Sequence, residues 1–83
     1  MNAKNIEKII KEIFIKTFSS ELREESFDFN KKQDTFQNWD SFSHMELVAN
    51  IENKLDINLE MEEIISVRSP RDFVNLIKHK KKS

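Results

Sequence analysis

The sequence predicts an all-α fold: a small four-helix bundle of three principal helices and one short helix, with a long loop after the first. Three observations predict it. Apolar residues recur at helical spacing in separate stretches. The single proline, Pro70, stands where a helix should begin. Every regular element reads as helical, with no internal repeat or low-complexity linker between them. At 83 residues the chain makes one domain, 1–83, able to bury a single modest core but not an enclosed active site with its own supporting shell.

The first helix is expected from about Asn5 to Ser19. Ile6, Ile9, Ile10, Ile13, Phe14 and Thr17 share a face, and Lys8, Lys11, Glu12 and Lys16 fall largely between them. Glu7–Lys11 and Glu12–Lys16 stand four apart in the favourable order. From Ser20 to Trp39 no helical period is sustained. A connection of this length is unusual in so small a domain. Its aromatics, Phe27, Phe29, Phe36 and Trp39, are expected to order it by lying on the core as a lid.

A second helix follows from about Ser41 to Lys54. "LDINLE" breaks its period, since Ile57 and Leu59 alternate with polar neighbours, and reads as an extended link. A short third helix, about Glu60 to Ser66, should bury Ile64 and Ile65. The fourth is signalled by Ser69 as cap, Pro70 at the first helical position and Asp72 in the first turn. Phe73, Leu76 and Ile77 form its expected buried stripe. Residues 78–83, mostly basic, should be a solvated and frayed tail.

Charge is segregated along the chain. Residues 1–39 balance to zero, 40–63 carry −6 and 64–83 carry +5. The acidic middle opposes contact with phosphate backbones, so no nucleic-acid partner is expected. With no cysteine there is neither a disulfide nor a thiolate metal site. No apolar run is long enough for a membrane span, and the N-terminus lacks the apolar core of a secretory signal. A cytoplasmic, monomeric protein is the expectation.

The second helix carries more apolar surface than one buried face needs. At roughly 100° per residue, Leu47, Val48, Ile51 and Leu55 fall on one arc. Phe42, Met45 and Ala49 fall on another, with Glu46 and Asn53 on one side and Glu52 on the other. Such a strip is either a docking surface or is covered by the preceding loop folding back. Ser41 lies at the helix start, in the gap between the two arcs. Either Asp40 or Ser41 can cap the first turn. His44, three residues on, is near enough to suggest a serine–histidine pair, but there is no glycine elbow and no evident oxyanion site. A phosphate ester on Ser41 would suit the positive end of a helix.

"DSFSHMELVANIENKLDINL" resembles the signature of the acyl and peptidyl carrier proteins. In that family Asp-Ser-Leu is followed by an apolar-acidic helix and an extended Ile-x-Leu-type link. "MEEIISVRSPRDFVNLI" is similar to the family's third and fourth helices. The resemblance implies that Ser41 receives 4'-phosphopantetheine from coenzyme A by a Mg-dependent phosphopantetheinyl transferase. It implies that Asp40 helps that transferase position its metal. It also implies that Phe42, Met45 and Ala49 meet acyl- or aminoacyl-loading and transfer enzymes, with Glu46 and Glu52 as anchors for partner cations. The cargo would be a thioester on the arm, and the chain a carrier rather than a catalyst.

Phe42 replaces the family's usual leucine. His44, Asn50, Asn53 and Lys54 interrupt the usual acids, and the tail is basic. These departures point to a specialised pathway rather than general fatty-acid synthesis. The alternative from another class is an unmodified helical interaction module using the same exposed face.

Overall fold

Asn2 starts the first helix by accepting a hydrogen bond from the Asn5 amide on its side-chain oxygen at 2.9 Å, and α1 runs from Ala3 to Thr17. The computed structural model describes residues 2–82. Beyond α1 the described chain forms α2 (Ser41–Leu55), α3 (Met61–Ser66) and α4 (Pro70–Lys82), with one 3-10 turn at Gln33–Thr35 in the long loop. The fold is all-helical, as the sequence predicts, and there are no strands among the described residues.

The predicted stripes become the core. Ile6, Ile10 and Phe14 of α1 are buried against α4 and α2. Leu47, Val48, Ile51 and Leu55 of α2 face them, and Phe73 and Ile77 complete the centre from α4. Two positions differ from expectation. Val74 is fully buried, whereas Leu76 only packs against the core edge. Ile65 is 58 % exposed while its neighbour Ile64 is buried: the six-residue α3 turns only one of the two isoleucines onto the core.

Phe14 is the hub of the interior. It is 0 % exposed, and its ring centre lies 5.2 Å from that of Trp39, 5.8 Å from Phe73, 6.0 Å from Phe18, 6.2 Å from Phe36 and 6.3 Å from Phe27. Three of those rings come from the long loop, so the lid forms as expected: Phe36 and Trp39 are buried, and Phe27 and Phe29 are partly buried. Tilted and edge-to-face packing of this kind is the favoured arrangement of aromatic quadrupoles.

Polar ties finish the loop. The Glu21 carboxylate accepts from the Gln37 and Asn38 amides, each at 2.9 Å, clamping the end of the loop to its beginning. The Gln33 amide donates to the Arg68 carbonyl at 2.6 Å, and the Arg71 amide to the Phe29 carbonyl at 2.8 Å. These bonds satisfy backbone groups that a loop laid over a core would otherwise leave unpaired.

The helix ends behave as their residues dictate. In this glycine-free chain, α2 stops with Asp56 in the left-handed conformation at φ 53°, a position where aspartate is among the few tolerated residues. Leu59 is then held by the Glu52 carboxylate, which accepts its amide at 2.8 Å and closes the extended link. Ser69 caps α4 by accepting the Asp72 amide at 3.1 Å, as expected. Residues 78–82 continue α4; Lys80 binds Glu63 at 2.9 Å and the Lys81 ammonium donates to the Leu55 carbonyl at 3.0 Å. Ser83, the last residue of the expected tail, lies outside the described residues.

Neither pair expected on α1 forms among the described residues: Glu12 and Lys16 do not come within ion-pair distance, and Glu7 and Lys11 find other partners. Glu7 does not hold Lys11; it pairs with Arg71 of α4 at 2.7 Å, and Lys11 turns to Glu24 at 3.5 Å. The packing of α1 on α4 supplies Glu7 with a guanidinium, the better fork for a carboxylate.

Candidate functional site

The amino end of α2 is built by a reciprocal pair. Asp40 is the cap: its carboxylate accepts the Ser43 amide at 2.9 Å, while the Asp40 amide donates to the Ser43 hydroxyl oxygen at 2.9 Å. The Ser43 hydroxyl also lies 2.9 Å from the Asn38 carbonyl and 3.1 Å from the Asp40 carboxylate. Ser43 is buried in this arrangement. The Asp-x-x-Ser spacing was the signal for it in the sequence, and reading only the Asp-Ser pair misses it.

The reciprocal cap leaves Ser41 with nothing structural to do. It is the first residue of α2, exposed, and its hydroxyl makes no hydrogen bond to another side chain or carbonyl among the described residues. It also points no base at itself through His44. That ring is buried and engaged on both nitrogens, by the Trp39 indole N–H at 2.9 Å and by the Ile64 carbonyl at 2.7 Å. The serine–histidine pair suggested by spacing is therefore not formed.

The Ser43 backbone amide, and secondly its hydroxyl, hold the Asp40 carboxyl below the ordinary aspartate range. The contribution of this cap is therefore present above the ordinary value of 3.8 and is lost as pH falls through the lower folded value. Glu63 behaves alike, held down first by the Glu60 amide and then by Lys80. Acid titration followed by amide exchange should show the Ser43 amide protected down through 3.8 and released only below it. Release well above that pH would contradict the cap as described.

The second apolar arc of α2 faces outward, and the loop does not cover it. Phe42 is 78 % exposed and Met45 48 %, with Ala49 exposed beside them. The loop's rings are committed to Phe14 and Phe18 instead. Two further apolar residues are exposed on α3, Met61 at 63 % and Ile65 at 58 %, and the sequence reading singles out neither as exposed. The bond from His44 to the Ile64 carbonyl ties α2 to α3 next to Met45 and Ile65. Glu46 is exposed and able to meet a cation, whereas Glu52 has one oxygen committed to the Leu59 amide.

Beside Trp39, two residues before Ser41, lies an open groove of about 570 Å³ lined by Lys32, Gln33, Asp34, Phe36, Trp39 and Arg68. No group of three or more acidic or histidine side chains suited to a metal ion occurs among the described residues. No helix among them is long and apolar enough to cross a membrane. Comparisons with protein-family models, with curated proteins and with solved structures each return no match.

Proposed function

We propose that this chain is an acyl or aminoacyl carrier that takes a 4'-phosphopantetheine arm on Ser41 and presents its cargo to partner enzymes in a specialised pathway. The observation that carries the reading is the division of labour at the start of α2. Asp40 and Ser43 do the capping, and Ser41 stands exposed with a free hydroxyl at the head of an uncovered apolar strip.

The residues fit the group. The Ser41 oxygen is open to a bulky transferase and to the phosphodiester formed when its hydroxyl, losing its proton, attacks the pantetheine-bearing phosphorus of coenzyme A and breaks the diphosphate bond to release adenosine 3',5'-bisphosphate. The amino end of α2 favours that anion over a neutral substituent. Asp40, the residue before Ser41, has its carboxyl kept ionised by Ser43 and would offer a transferase's Mg²⁺ a negative group. The arm supplies the thiol that this cysteine-free chain lacks, and holds cargo as a thioester. Phe42, Met45 and Ala49 on α2, and the exposed Met61 and Ile65 on α3, give loading and transfer enzymes apolar contacts. Glu46 adds a charge whose steering weakens with salt.

The test is to incubate the purified protein with coenzyme A, Mg²⁺ and a broad-specificity phosphopantetheinyl transferase, then measure intact mass. One arm's mass should be gained by the wild type and none by Ser41→Ala. No gain on the folded wild type would overturn the proposal.

The unmodified interaction module remains the second reading, favoured by the exposure of Phe42, Met61 and Ile65 alone. The double variant Phe42→Asp/Ile65→Asp should keep its helicity and slow loading of cargo onto the arm about thirtyfold, as loss of a central apolar contact worth about 2 kcal/mol requires. An unchanged transfer rate would remove this face from the carrier reading. A partner captured equally by wild type and Ser41→Ala, with no arm detected on either, would favour the module.

A further inference from the structure

His44 is the only buried titratable side chain of the described core, and neither the cap nor the proposed attachment uses it. Its two bonds fix its tautomer. The Trp39 indole nitrogen can only donate, so Nδ1 of His44 must accept at 2.9 Å. The Ile64 carbonyl can only accept, so Nε2 must carry the hydrogen at 2.7 Å. The imidazole is therefore neutral, and it joins three parts of the molecule: the end of the long loop, α2 and α3. The two rings stack at 5.7 Å between centres with 22° between planes, and the Phe73 ring of α4 lies 6.0 Å from the imidazole.

We propose that His44 is a proton-operated latch. A proton taken from solvent onto Nδ1 places an N–H against the indole N–H, so the Trp39 bond must break. The bond from Nε2 to the Ile64 carbonyl persists with a charged donor. The groups that face the ring carry no charge to compensate the added proton: an indole from the loop, a carbonyl from α3 and a phenyl from α4. The carboxylates nearest along the chain are already engaged or turned to solvent. Asp40 holds Ser43, Glu63 holds Lys80, and Glu46 is exposed. Protonation therefore loosens Trp39 instead of recruiting a counter-ion. Trp39 also walls the groove two residues before Ser41, so the latch sets the shape of the surface beside the proposed attachment point. The latch stands whether or not Ser41 is modified.

The single tryptophan makes the test direct. In a His79→Gln background, which leaves one histidine, the His44 ring and the Trp39 indole N–H are followed by NMR as the pH is lowered from neutrality until the ring takes its second proton or the core unfolds. As the ring titrates, indole protection corrected for intrinsic exchange should fall about tenfold or more, while Ile10 and Ile77 amides keep theirs. His44→Gln, whose amide can accept from Trp39 and donate to Ile64 without titrating, should abolish the step. The wild-type correlation stands by itself should that variant not fold. An indole signal indifferent to protonation of His44, a ring that takes no proton before the core unfolds, loss of protection throughout the core together, or a step that survives His44→Gln would each overturn the latch.

Discussion

Phe14→Ala should lower the free energy of unfolding by about 3–5 kcal/mol, the range for deleting a buried aromatic ring when its surroundings cannot collapse. Collapse is difficult here because five aromatic rings lean on this one: Phe18 just after α1, Phe73 of α4, and Phe27, Phe36 and Trp39 of the loop. A small domain has a total stability of about 5–15 kcal/mol. The variant should therefore be marginal or unfolded at 37 °C by chemical or thermal denaturation. The loss should spread unevenly. Phe36 and Trp39 lose their central contact, so residues 36–41 should become exchange-labile first, and the Asp40–Ser43 cap should loosen with them. A Phe14→Leu variant, which keeps much of the volume, should recover a large part of the difference. A cost below about 1 kcal/mol for Phe14→Ala would show that the loop is not organised around this ring.

Ser41→Ala should abolish loading of the arm completely while leaving the unfolding curve in place. The reasoning is local. Ser41 occupies the first turn of α2, is exposed, and takes no part in the cap; alanine is also a better helix former there. Ser43→Ala is the informative contrast. It removes one half of the reciprocal cap and a buried hydroxyl, and should cost about 0.5–2 kcal/mol while still accepting the arm on Ser41. The two variants thus separate chemistry from architecture within three residues. The reverse pattern, in which Ser41→Ala is destabilised and still loaded, would assign Ser41 to the cap and leave the carrier reading without its residue.

Much of the fold was legible because it rests on periodicity. The stripes of Ile6, Ile10 and Phe14, of Leu47, Val48, Ile51 and Leu55, and of Phe73 and Ile77 recur by threes and fours, with Leu47 and Val48 adjacent on one arc, and all are buried. The second arc of Phe42 and Met45 was legible for the same reason, but whether the loop covers it was not: that turns on the loop's rings packing against Phe14 and Phe18 instead. Contacts between distant segments were not. Nothing in the spacing of Glu7 and Lys11 announces that Arg71 will take Glu7 away. Nor does His44, three residues from Ser41, announce that both its nitrogens will be engaged by Trp39 and Ile64. Ile65 shows a different limit. In a helix of six residues the period has too few repeats to say which of two adjacent isoleucines turns in, and that decides where the apolar face ends. The capping partner, by contrast, was written in the chain as Asp-x-x-Ser.

The central claim is that Ser41, and no other hydroxyl, is the attachment point. Its most direct test is fragmentation of the transferase-treated protein by tandem mass spectrometry, under conditions that retain the phosphodiester and separate Ser41 from Ser43. The account predicts one arm per chain, carried on Ser41 and absent from Ser43. An arm found on Ser43 or elsewhere, or a folded protein that accepts none, would contradict it.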